Sequence, residues 1–347
     1  MNQIVFEIFQ WFSKNGRNLP WRNTKDPYKI WLSEIILQQT QIIQGQAYYE
    51  KFVENFPTVN ALANASEEKV LKLWQGLGYY SRARNLHKAA RIIKTTYKGK
   101  FPDNYVDILQ LPGIGEYTAA AISSFAYHMP YPALDGNVYR FISRLYNIDA
   151  AIDEPKNKKI YMAVLTELIH NQDPAIFNNA MMEMGALVCK PALPDCKNCC
   201  VANYCEALKS GTIAKLPVKN KKLTIKNRYF NYLFIDYKNG FYIEKRTGKD
   251  IWENLYQLPL IESLKPLDIS EIAEAISKEL SIQSTLPITL DKEVKHVLTH
   301  QKLHTRFWIL KPEKQPQFKN NDIIFTDRLK YKKLALPQLI ANYLLHL

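Results

Sequence analysis

The sequence predicts a mostly α-helical N-terminal region over residues 1–208 and an α+β domain over residues 227–347. Apolar side chains recur at helical spacing in the first region, as in the stripe from Ile4 to Phe12. A polar, lysine-rich stretch at 209–226 has the composition of an interdomain linker. After it, aromatic and β-branched runs flank the turn Lys238-Asn239-Gly240, which indicates strands. At 347 residues the chain is long enough for two domains, each with its own core.

The charge balance of the chain favours a polyanionic partner. The formal net charge is +13 and the sequence pI is about 9.3. Nucleic acid is the commonest polyanion that a basic protein binds, although an enzyme with a small anionic substrate would show the same balance. The start of the chain lacks a secretory signal, and no apolar run reaches transmembrane length. We therefore expect a soluble cytoplasmic protein without membrane contact.

The stretch 111–137 opens with a glycine hairpin and closes on one carboxylate, Asp135. Leu111-Pro112-Gly113-Ile114-Gly115 precedes a small-residue helix that we expect from Glu116 to Phe125. Backbone N–H groups at such a helix start can hold a phosphate, but an ordinary glycine turn between helices has the same sequence. Asp135 either faces a substrate or caps the amphipathic helix that begins after it. These residues alone favour neither interpretation.

Polar and aromatic positions near the N-terminus also have both a functional and an ordinary interpretation. Trp21 beside Arg22 could stack on a base and hydrogen-bond it, but Trp is also a common core residue. Glu34 lies in the otherwise apolar helical run 30–37, where a solvated or first-turn glutamate is the commoner case. Gln39 would be assigned to the surface from its residue type alone.

In residues 73–84, LWQGLGYYSRAR, a Gly-x-Gly turn is followed by two aromatics and two arginines. This composition suits a wedge in a DNA duplex, in which Tyr79 would unstack a base step and arginine would hold phosphate. The ordinary alternative is a loop whose aromatic side chains fold into the core.

Five cysteines fall within seventeen positions, and four of them have metal-ligand spacing. Cys189, Cys196, Cys199 and Cys205 form the pattern C-x6-C-x2-C-x5-C in a proline-broken segment, 189–205. Four thiolates bind either zinc or an iron–sulfur cluster. Cys200 is out of register and is expected to be a free thiol.

Several of these motifs together resemble one superfamily of DNA repair enzymes. LPGIG, a helix, a proline-rich loop and Asp135 resemble the helix-hairpin-helix, Gly/Pro, Asp superfamily of DNA glycosylases. The run SEIILQQTQ at 33–41 and residues 73–84 resemble its adenine-specific branch, the MutY family. The resemblance implies a helix-hairpin-helix glycosylase fold with a [4Fe–4S] cluster on the four cysteines.

The resemblance also implies a reaction, a partner and roles for individual residues. The activity would be monofunctional hydrolysis of the glycosidic bond of adenine opposite 8-oxoguanine or guanine, a step of base-excision repair. The partner would be double-stranded DNA bound by a monomer, in the nucleoid of a bacterial cytoplasm. Glu34 would be the catalytic acid, Asp135 would stabilise the sugar cation, and Tyr117 and Asn137 would orient them. The expected DNA contacts are Trp21, Arg22, Gln39, Tyr79, Gly113 and Gly115.

The C-terminal domain resembles the Nudix-like domain of the same family. Its helix ISEIAEAISKEL lacks the Arg-Glu-x-x-Glu-Glu run of Nudix hydrolases, so no Mg²⁺ pyrophosphatase activity is expected. In the family this domain recognises 8-oxoguanine with a Phe-Ser-His loop. Leu298-Thr299-His300 matches that loop, with Thr299 keeping a hydroxyl and His300 an imidazole. Because the aromatic residue is missing, the resemblance leaves the strictness of lesion recognition open.

Tyr117 separates this interpretation from its nearest alternative. Bifunctional relatives resembling endonuclease III have a Lys at this position, which forms a Schiff base with the sugar, and Tyr has no amine. The alternatives are therefore a glycosylase with strand-cleaving lyase activity and a non-catalytic iron–sulfur protein that binds DNA.

Overall fold

The computed structural model describes residues 2–220, 224–280, 287–318 and 320–346. The chain divides into a helical unit, residues 1–64 with 85–221, and a mixed unit, residues 65–84 with 222–347. In the described residues the α-helices are α1 (Gln3–Asn15), α2 (Pro27–Leu37), α3 (Ile42–Asn55), α4 (Val59–Asn64), α5 (Glu67–Trp74), α6 (Ser81–Thr96), α7 (Tyr105–Gln110), α8 (Glu116–Tyr127), α9 (Gly136–Leu145), α10 (Lys158–Ile169), α11 (Pro174–Glu183), α12 (Glu206–Lys209), α13 (Ile269–Leu280) and α14 (Gln338–Leu344). The strands are β1 (Lys226–Tyr237), β2 (Gly240–Lys245), β3 (Tyr256–Gln257), β4 (Leu260–Ser263), β5 (Ile288–Val297), β6 (Gln301–Leu310) and β7 (Ile323–Asp327).

The apolar stripe of α1 packs against α9, α10 and α11 in the core of the helical unit. Val5 and Ile8 lie in one cluster with Phe141, Tyr161 and Phe177, all of them fully or almost fully buried. These are the side chains that the helical periodicity assigns to inward faces. The stripe from Ile4 to Phe12 therefore contributes to the core, as its spacing predicts.

Helix α2 is buried on nearly every side and packs against α8. Its buried residues run almost without interruption from Ile30 to Ile36 and include Glu34. The small side chains Ala119, Ala120 and Ala121 on α8 are buried, which allows the backbones of packed helices to approach closely. Helix α8 begins at Glu116, as predicted, and continues two residues beyond Phe125.

The mixed unit is built on a sheet with the strand order β3-β2-β1-β6-β5, in which β4 also pairs with β1 and β7 with β2. Strands β1 and β6 are parallel, whereas β5 and β6 form an antiparallel hairpin. Helix α13 covers one face of the sheet over Leu233 and Trp308. Helix α14 packs on the cluster that contains Phe230 and Phe307. Helices on both faces of a mixed sheet fit the Nudix-like architecture that the sequence predicts.

The two units differ from the sequence-derived boundaries at residues 65–84. Helix α5 and the turn after it group with the C-terminal strands because polar contacts hold them there. Lys72 Nζ donates to the carbonyl of Leu334 at 2.9 Å. Asn254 Nδ2 donates to Glu67 Oε1 at 2.7 Å. The turn that carries Tyr79 therefore belongs to the mixed unit, which the sequence pattern did not indicate.

Part of the predicted linker at 209–226 packs on the helical unit. Arg144 Nε donates to the carbonyl of Leu216 at 3.0 Å, and the backbone N–H of Ile152 donates to the carbonyl of Val218 at 3.0 Å. Residues 221–223 of that stretch lie outside the described residues. Across the described ranges, no helix combines the length and apolar character needed to cross a bilayer.

Candidate active site

Glu34 lies at the edge of a cavity in the helical unit. The cavity has a volume of about 580 Å³ and is lined by Glu34, Asp135, Tyr117 and Asn137, among others. Glu34 is 9% exposed, and its Oε2 accepts a hydrogen bond of 2.7 Å from the hydroxyl of Tyr117. The neighbours of Glu34 in the chain on the C-terminal side, Ile35 and Ile36, are buried and apolar. The solvated-glutamate interpretation of Glu34 is therefore wrong.

Asp135 both caps a helix and lines the same cavity. Its Oδ1 accepts from the backbone N–H of Val138 at 2.7 Å, which makes it the N-cap of α9. Its Oδ2 accepts from Asn137 Nδ2 at 2.8 Å. The two interpretations of this residue are thus compatible, because one carboxylate oxygen serves the cap while the residue borders the cavity.

The two carboxyl groups have unlike electrostatic surroundings. The pKa of Glu34 is raised to about 7: burial and the charge of Asp135 raise it, and the hydrogen bond from Tyr117 and the charge of Arg22 lower it. The pKa of Asp135 is also raised above its ordinary value by burial, but hydrogen bonds from Val138 and Asn137 limit that rise. A pair of titratable groups in such different environments is typical of acid–base sites.

Tyr117 stays neutral because burial and the two neighbouring carboxylates raise the pKa of its hydroxyl well above the usual range. It can therefore act only as a hydrogen-bond donor or acceptor at neutral pH. Only the family resemblance predicted that Tyr117 lies beside Glu34 and Asp135. The residue patterns did not predict it, because Tyr117 and Glu34 are 83 positions apart.

The sequence analysis missed a further carboxylate at the cavity, Glu183. Glu183 is 1% exposed and pairs with two arginines: Arg17 Nε lies 3.0 Å from Oε2, and Arg22 Nη2 lies 3.0 Å from Oε1. Arg22 Nε also donates to Asn179 Oδ1 at 2.8 Å. A signal was present, because Glu183, like Glu34, is a carboxylate within an apolar helical run.

Trp21 and Arg22, which the sequence predicts to contact DNA, are held in place by neighbouring residues at the cavity. The Trp21 side chain is 8% exposed and stands edge-on to Tyr49, with ring centroids 5.4 Å apart, while the residue still lines the cavity. Arg22 is held by three partners, Asn179, Glu183 and the carbonyl of Arg17. Both side chains are therefore fixed as walls of the cavity.

Two exposed residues among the expected DNA contacts, Gln39 and Tyr79, have left-handed backbone conformations. Gln39, which follows α2, has a φ of 57°, and Tyr79 has a φ of 44°. Such conformations are costly for residues other than glycine, and they concentrate at functional sites. The side chain of Gln39 is exposed, and Tyr79 is 43% exposed.

In the mixed unit, Tyr79 and the β5–β6 turn meet. The hydroxyl groups of Tyr79 and Thr299 form a hydrogen bond, and both Thr299 and His300 are exposed. Arg82 Nη2 donates to the carbonyl of Leu77 at 3.1 Å, and its guanidinium lies 5.0 Å from the ring centroid of Trp74. The expected wedge and the expected lesion-recognition residues thus form one exposed group.

The glycine hairpin has the geometry that its sequence predicts. Gly113 has a φ of 79°, and a Cβ there would come within 2.7 Å of Asn85 Cβ, so a larger residue would be both strained and crowded. Gly115 precedes α8, and a Cβ there would meet nothing within 4 Å. The start of α8 is therefore open to an approaching ligand.

The four spaced cysteines line one small cavity of the helical unit. Cys189, Cys196, Cys199 and Cys205 border it together with mainly apolar side chains, whereas Cys200 does not. Among the described residues, no group of three or more His, Cys, Asp or Glu could hold a metal ion. The donor set is four cysteine thiols around one cavity, and four cysteine thiolates are the ligands of a [4Fe–4S] cluster, so the chemistry of these residues fits that group.

Arg140 connects the cysteine segment to Asp135 through Asn137, and Arg144 contacts the cysteine segment beside it. Arg144 Nη1 lies 3.4 Å from Cys189 Sγ, and Arg140 Nε donates to the carbonyl of Cys189 at 2.7 Å. Arg140 Nη2 donates to Asn137 Oδ1 at 2.9 Å, and Asn137 in turn donates to Asp135. The segment 189–205 therefore supports the position of Asn137.

Comparison with known proteins first defines a class. Residues 32–169 match the model of the HhH-GPD superfamily base excision DNA repair proteins, and residues 231–346 match that of the NUDIX domain. A thermostable thymine-DNA glycosylase is 28% identical, with a TM-score of 0.56 over 60% of this chain and 96% of that chain. The fold is thus that of a base-excision DNA glycosylase with an added Nudix-like domain, as the sequence predicts.

Two curated relatives then define the family. The adenine DNA glycosylase of Buchnera aphidicola subsp. Baizongia pistaciae is 35% identical over 346 residues, which cover 97% of this chain and 95% of the relative. That of Buchnera aphidicola subsp. Acyrthosiphon pisum is 39% identical over 262 residues, 75% of each chain. The chain belongs to the adenine DNA glycosylase family, and its function is base-excision repair.

Proposed function

We propose that the protein is a monofunctional hydrolase that removes adenine mispaired with 8-oxoguanine or guanine in double-stranded DNA. The observation that carries this proposal is that Glu34 and Asp135, with unlike electrostatic surroundings, line one cavity together with Tyr117. The names of the relatives supply adenine as the base. The cavity, at about 580 Å³, has room for a nucleoside taken out of the duplex.

The reaction needs an acid and an anion on the same nucleoside. Protonated Glu34 would donate its proton to N7 of adenine, and the bond between N9 and C1′ would break with its electron pair on the base. Ionised Asp135 would stabilise the positive charge left on the sugar, as carboxylates do in glycoside hydrolysis. Water would then add to C1′, and its proton would return to Glu34.

The contacts of each carboxyl group suit its proposed role. A pKa of about 7 leaves a substantial fraction of Glu34 protonated at neutral pH. Asp135 accepts hydrogen bonds from Val138 and Asn137, which favour its ionised form over the protonated one. Tyr117 would hold the Glu34 carboxyl in place, and Asn137 would do the same for Asp135.

The other DNA contacts are proposed from exposure and position. Gln39 and Tyr79 would enter the base stack, and the start of α8 behind Gly113 and Gly115 would bind a backbone phosphate. Thr299 and His300 would contact the base opposite adenine. In this proposal Trp21 and Arg22 form walls of the pocket that receives the adenine.

A strand-cleavage assay with and without alkali tests the proposed activity. On a duplex with 8-oxoguanine opposite adenine, the protein should leave an intact strand that breaks only after alkali, because Tyr117 has no amine for a Schiff base. A nick without alkali would instead indicate a lyase. The absence of any product on every mispair would indicate a DNA-binding protein without catalysis.

Replacement of Tyr117 by Phe should move the pH dependence of adenine release upward. In the unchanged protein, single-turnover release should decline as the pH rises through about 7, because the acid Glu34 then loses its proton. The Tyr117 hydrogen bond lowers the pKa of Glu34, so Tyr117→Phe should raise this pKa and shift the decline to higher pH. The measurement is the single-turnover rate from pH 5 to 9.

The control for this prediction is Tyr127→Phe, which removes a hydroxyl from the same helix outside the cavity. It should leave the pH profile unchanged. A decline at the same or lower pH in Tyr117→Phe would contradict the assignment of Glu34 as the acid.

We further propose that Cys189, Cys196, Cys199 and Cys205 hold a [4Fe–4S] cluster. Bound there, the cluster would tie together the segment 189–205 and, when redox-active, could exchange an electron. Arg144 beside Cys189 Sγ would offset part of the negative charge of the thiolates.

Removal of one cluster ligand should remove the iron. Cys196→Ser should lower the iron content and the visible absorbance of the purified protein to near zero. Cys200→Ser, which changes a cysteine that does not border the cavity, should retain both. Equal iron content in the two variants would contradict this ligand assignment.

A further inference from the structure

One face of the sheet in the mixed unit continues beyond α13 as an open polar surface. Along β1, Leu233 and Ile235 lie under α13, whereas residues two to four positions earlier on the same face are polar or aromatic. Tyr229 pairs with His304 of β6, and His304 pairs with Lys295 of β5, so these side chains share one face. We call the set the basic sheet face; it comprises Asn227, Tyr229, Lys295, Lys302, His304 and Arg306.

This surface brings three cations together with one carboxylate, Glu293, which pairs with Arg306. Lys295 is diagonal to Lys302 across the β5–β6 pair, and its ammonium lowers the pKa of Lys302. Among the described residues, neither ammonium has a carboxylate partner, whereas Arg306 pairs with Glu293 at 2.7 Å. Like charges side by side on a strand pair are unfavourable, and an anion bound between them would relieve the repulsion.

The surface is also concave and carries a ring platform. A cavity of about 320 Å³ is lined by Tyr229, Lys295, His304 and Pro266, among others. The rings of Tyr229 and His304 are stacked, with centroids 4.9 Å apart and planes at 19°. His304 Nε2 is 3.0 Å from Asn227 Oδ1, which fixes the imidazole. Lys295 and Arg306 therefore border the depression, and Lys302 lies diagonal to Lys295 beside it.

The basic sheet face lies a short distance along β6 from Thr299 and His300 in the β5–β6 turn. Lys302 and His304 follow His300 by two and four residues, which at strand spacing is about 7 and 14 Å. Successive phosphates of one DNA strand are about 3.4 Å apart along the helix axis. If Thr299 and His300 contact a base, the basic sheet face lies within two to four nucleotides of it.

We propose that the basic sheet face binds the phosphate backbone of duplex DNA a few nucleotides from the base that Thr299 and His300 contact. This inference rests on the proposed function, which places DNA at the β5–β6 turn. A duplex is the occupant that a net charge of +13 and neighbouring unpaired lysines favour. The face would add affinity that does not depend on base sequence.

The test compares the salt dependence of DNA binding in two double variants. Lys295→Gln with Lys302→Gln removes the cations of the face. Lys332→Gln with Lys333→Gln removes two exposed lysines elsewhere in the mixed unit and is the matched control. The ligand is a duplex with 8-oxoguanine opposite cytosine, which offers no mispaired adenine. Because each lost phosphate contact lowers the slope of log Kd against log salt by about 0.9, the first variant should lose about 2 and the control far less.

Two further measurements separate the possible outcomes. Lys295→Arg with Lys302→Arg should keep the wild-type slope, because arginine retains the charge. The thermal midpoints of all three variants should equal that of the unchanged protein, so that a smaller slope reports on binding and not on unfolding. A wild-type slope in the Gln variant of the face overturns the proposal. If the unchanged protein releases no adenine, the proposed function fails, whereas the slope comparison still reports on the face.

Discussion

Replacing Glu34 by Gln should abolish adenine release while binding to the mispair persists. Gln has nearly the same shape and can still accept the Tyr117 hydrogen bond, but it has no proton of suitable acidity for N7. Loss of a general acid lowers the rate by about 10²- to 10⁴-fold, so single-turnover release should fall by that factor. Affinity for the mispair duplex, measured at equilibrium, should stay near the wild-type value.

The same variant should be at least as stable as the unchanged protein above pH 7. The folded-state pKa of Glu34, about 7, is above its ordinary value of 4.5, so the folded protein binds the proton more tightly than the unfolded chain. The stability that this group contributes is therefore full below pH 4.5 and is lost as the pH rises through about 7. Glu34→Gln removes this pH-dependent loss, and the thermal midpoint at pH 8 should not decrease.

For the activity prediction, adenine release by Glu34→Gln near the wild-type rate would exclude Glu34 as the acid.

Replacing Asp135 by Asn should also remove activity, although it preserves the helix cap. Asn caps helices about as well as Asp, so α9 and its hydrogen bond from Val138 should persist. The negative charge beside the sugar is lost, and the single-turnover rate should fall by about 10²- to 10³-fold, the usual effect of removing one electrostatic contact to a transition state.

Asp173→Asn is the matched control for this substitution. Asp173 is the N-cap of α11, accepts from the backbone N–H of Ile176 at 2.9 Å, and is absent from the cavity wall. It should leave the rate unchanged. If Asp135→Asn were as active as Asp173→Asn, Asp135 would be a structural cap and no more.

The catalytic assignment shows where the sequence was sufficient and where it was not. Glu34 is a charged residue in a run of apolar residues, but solvated glutamates occur in the same pattern. Only the family resemblance favoured the assignment of Glu34 as the catalytic acid. Its burial depends on contacts of α2 with α8, and the Tyr117 hydroxyl comes from a helix that begins 82 positions later. Glu183 was overlooked because its two arginine partners are more than 160 positions away.

Another feature depends on geometry that no residue pattern specifies. The turn that carries Tyr79 lies in the first quarter of the chain but belongs to the unit that contains Thr299. This arrangement depends on long-range packing, which single-sequence patterns do not encode. The position of Cys200 outside the cavity of the other four cysteines, by contrast, agrees with the spacing pattern.

The sequence by itself determined the order of helices and strands, the change from a helical to a mixed region, the four spaced cysteines and the glycine hairpin. These features follow from local periodicity, turn chemistry and spacing, which act over a few neighbouring residues. Only the tertiary structure decided that Glu34 is buried with a raised pKa, that Asp135 caps a helix at the same cavity, and that residues 65–84 join the C-terminal strands. Burial and charge proximity are set by side chains brought together from distant positions, and the acidity of a carboxyl group depends on those neighbours.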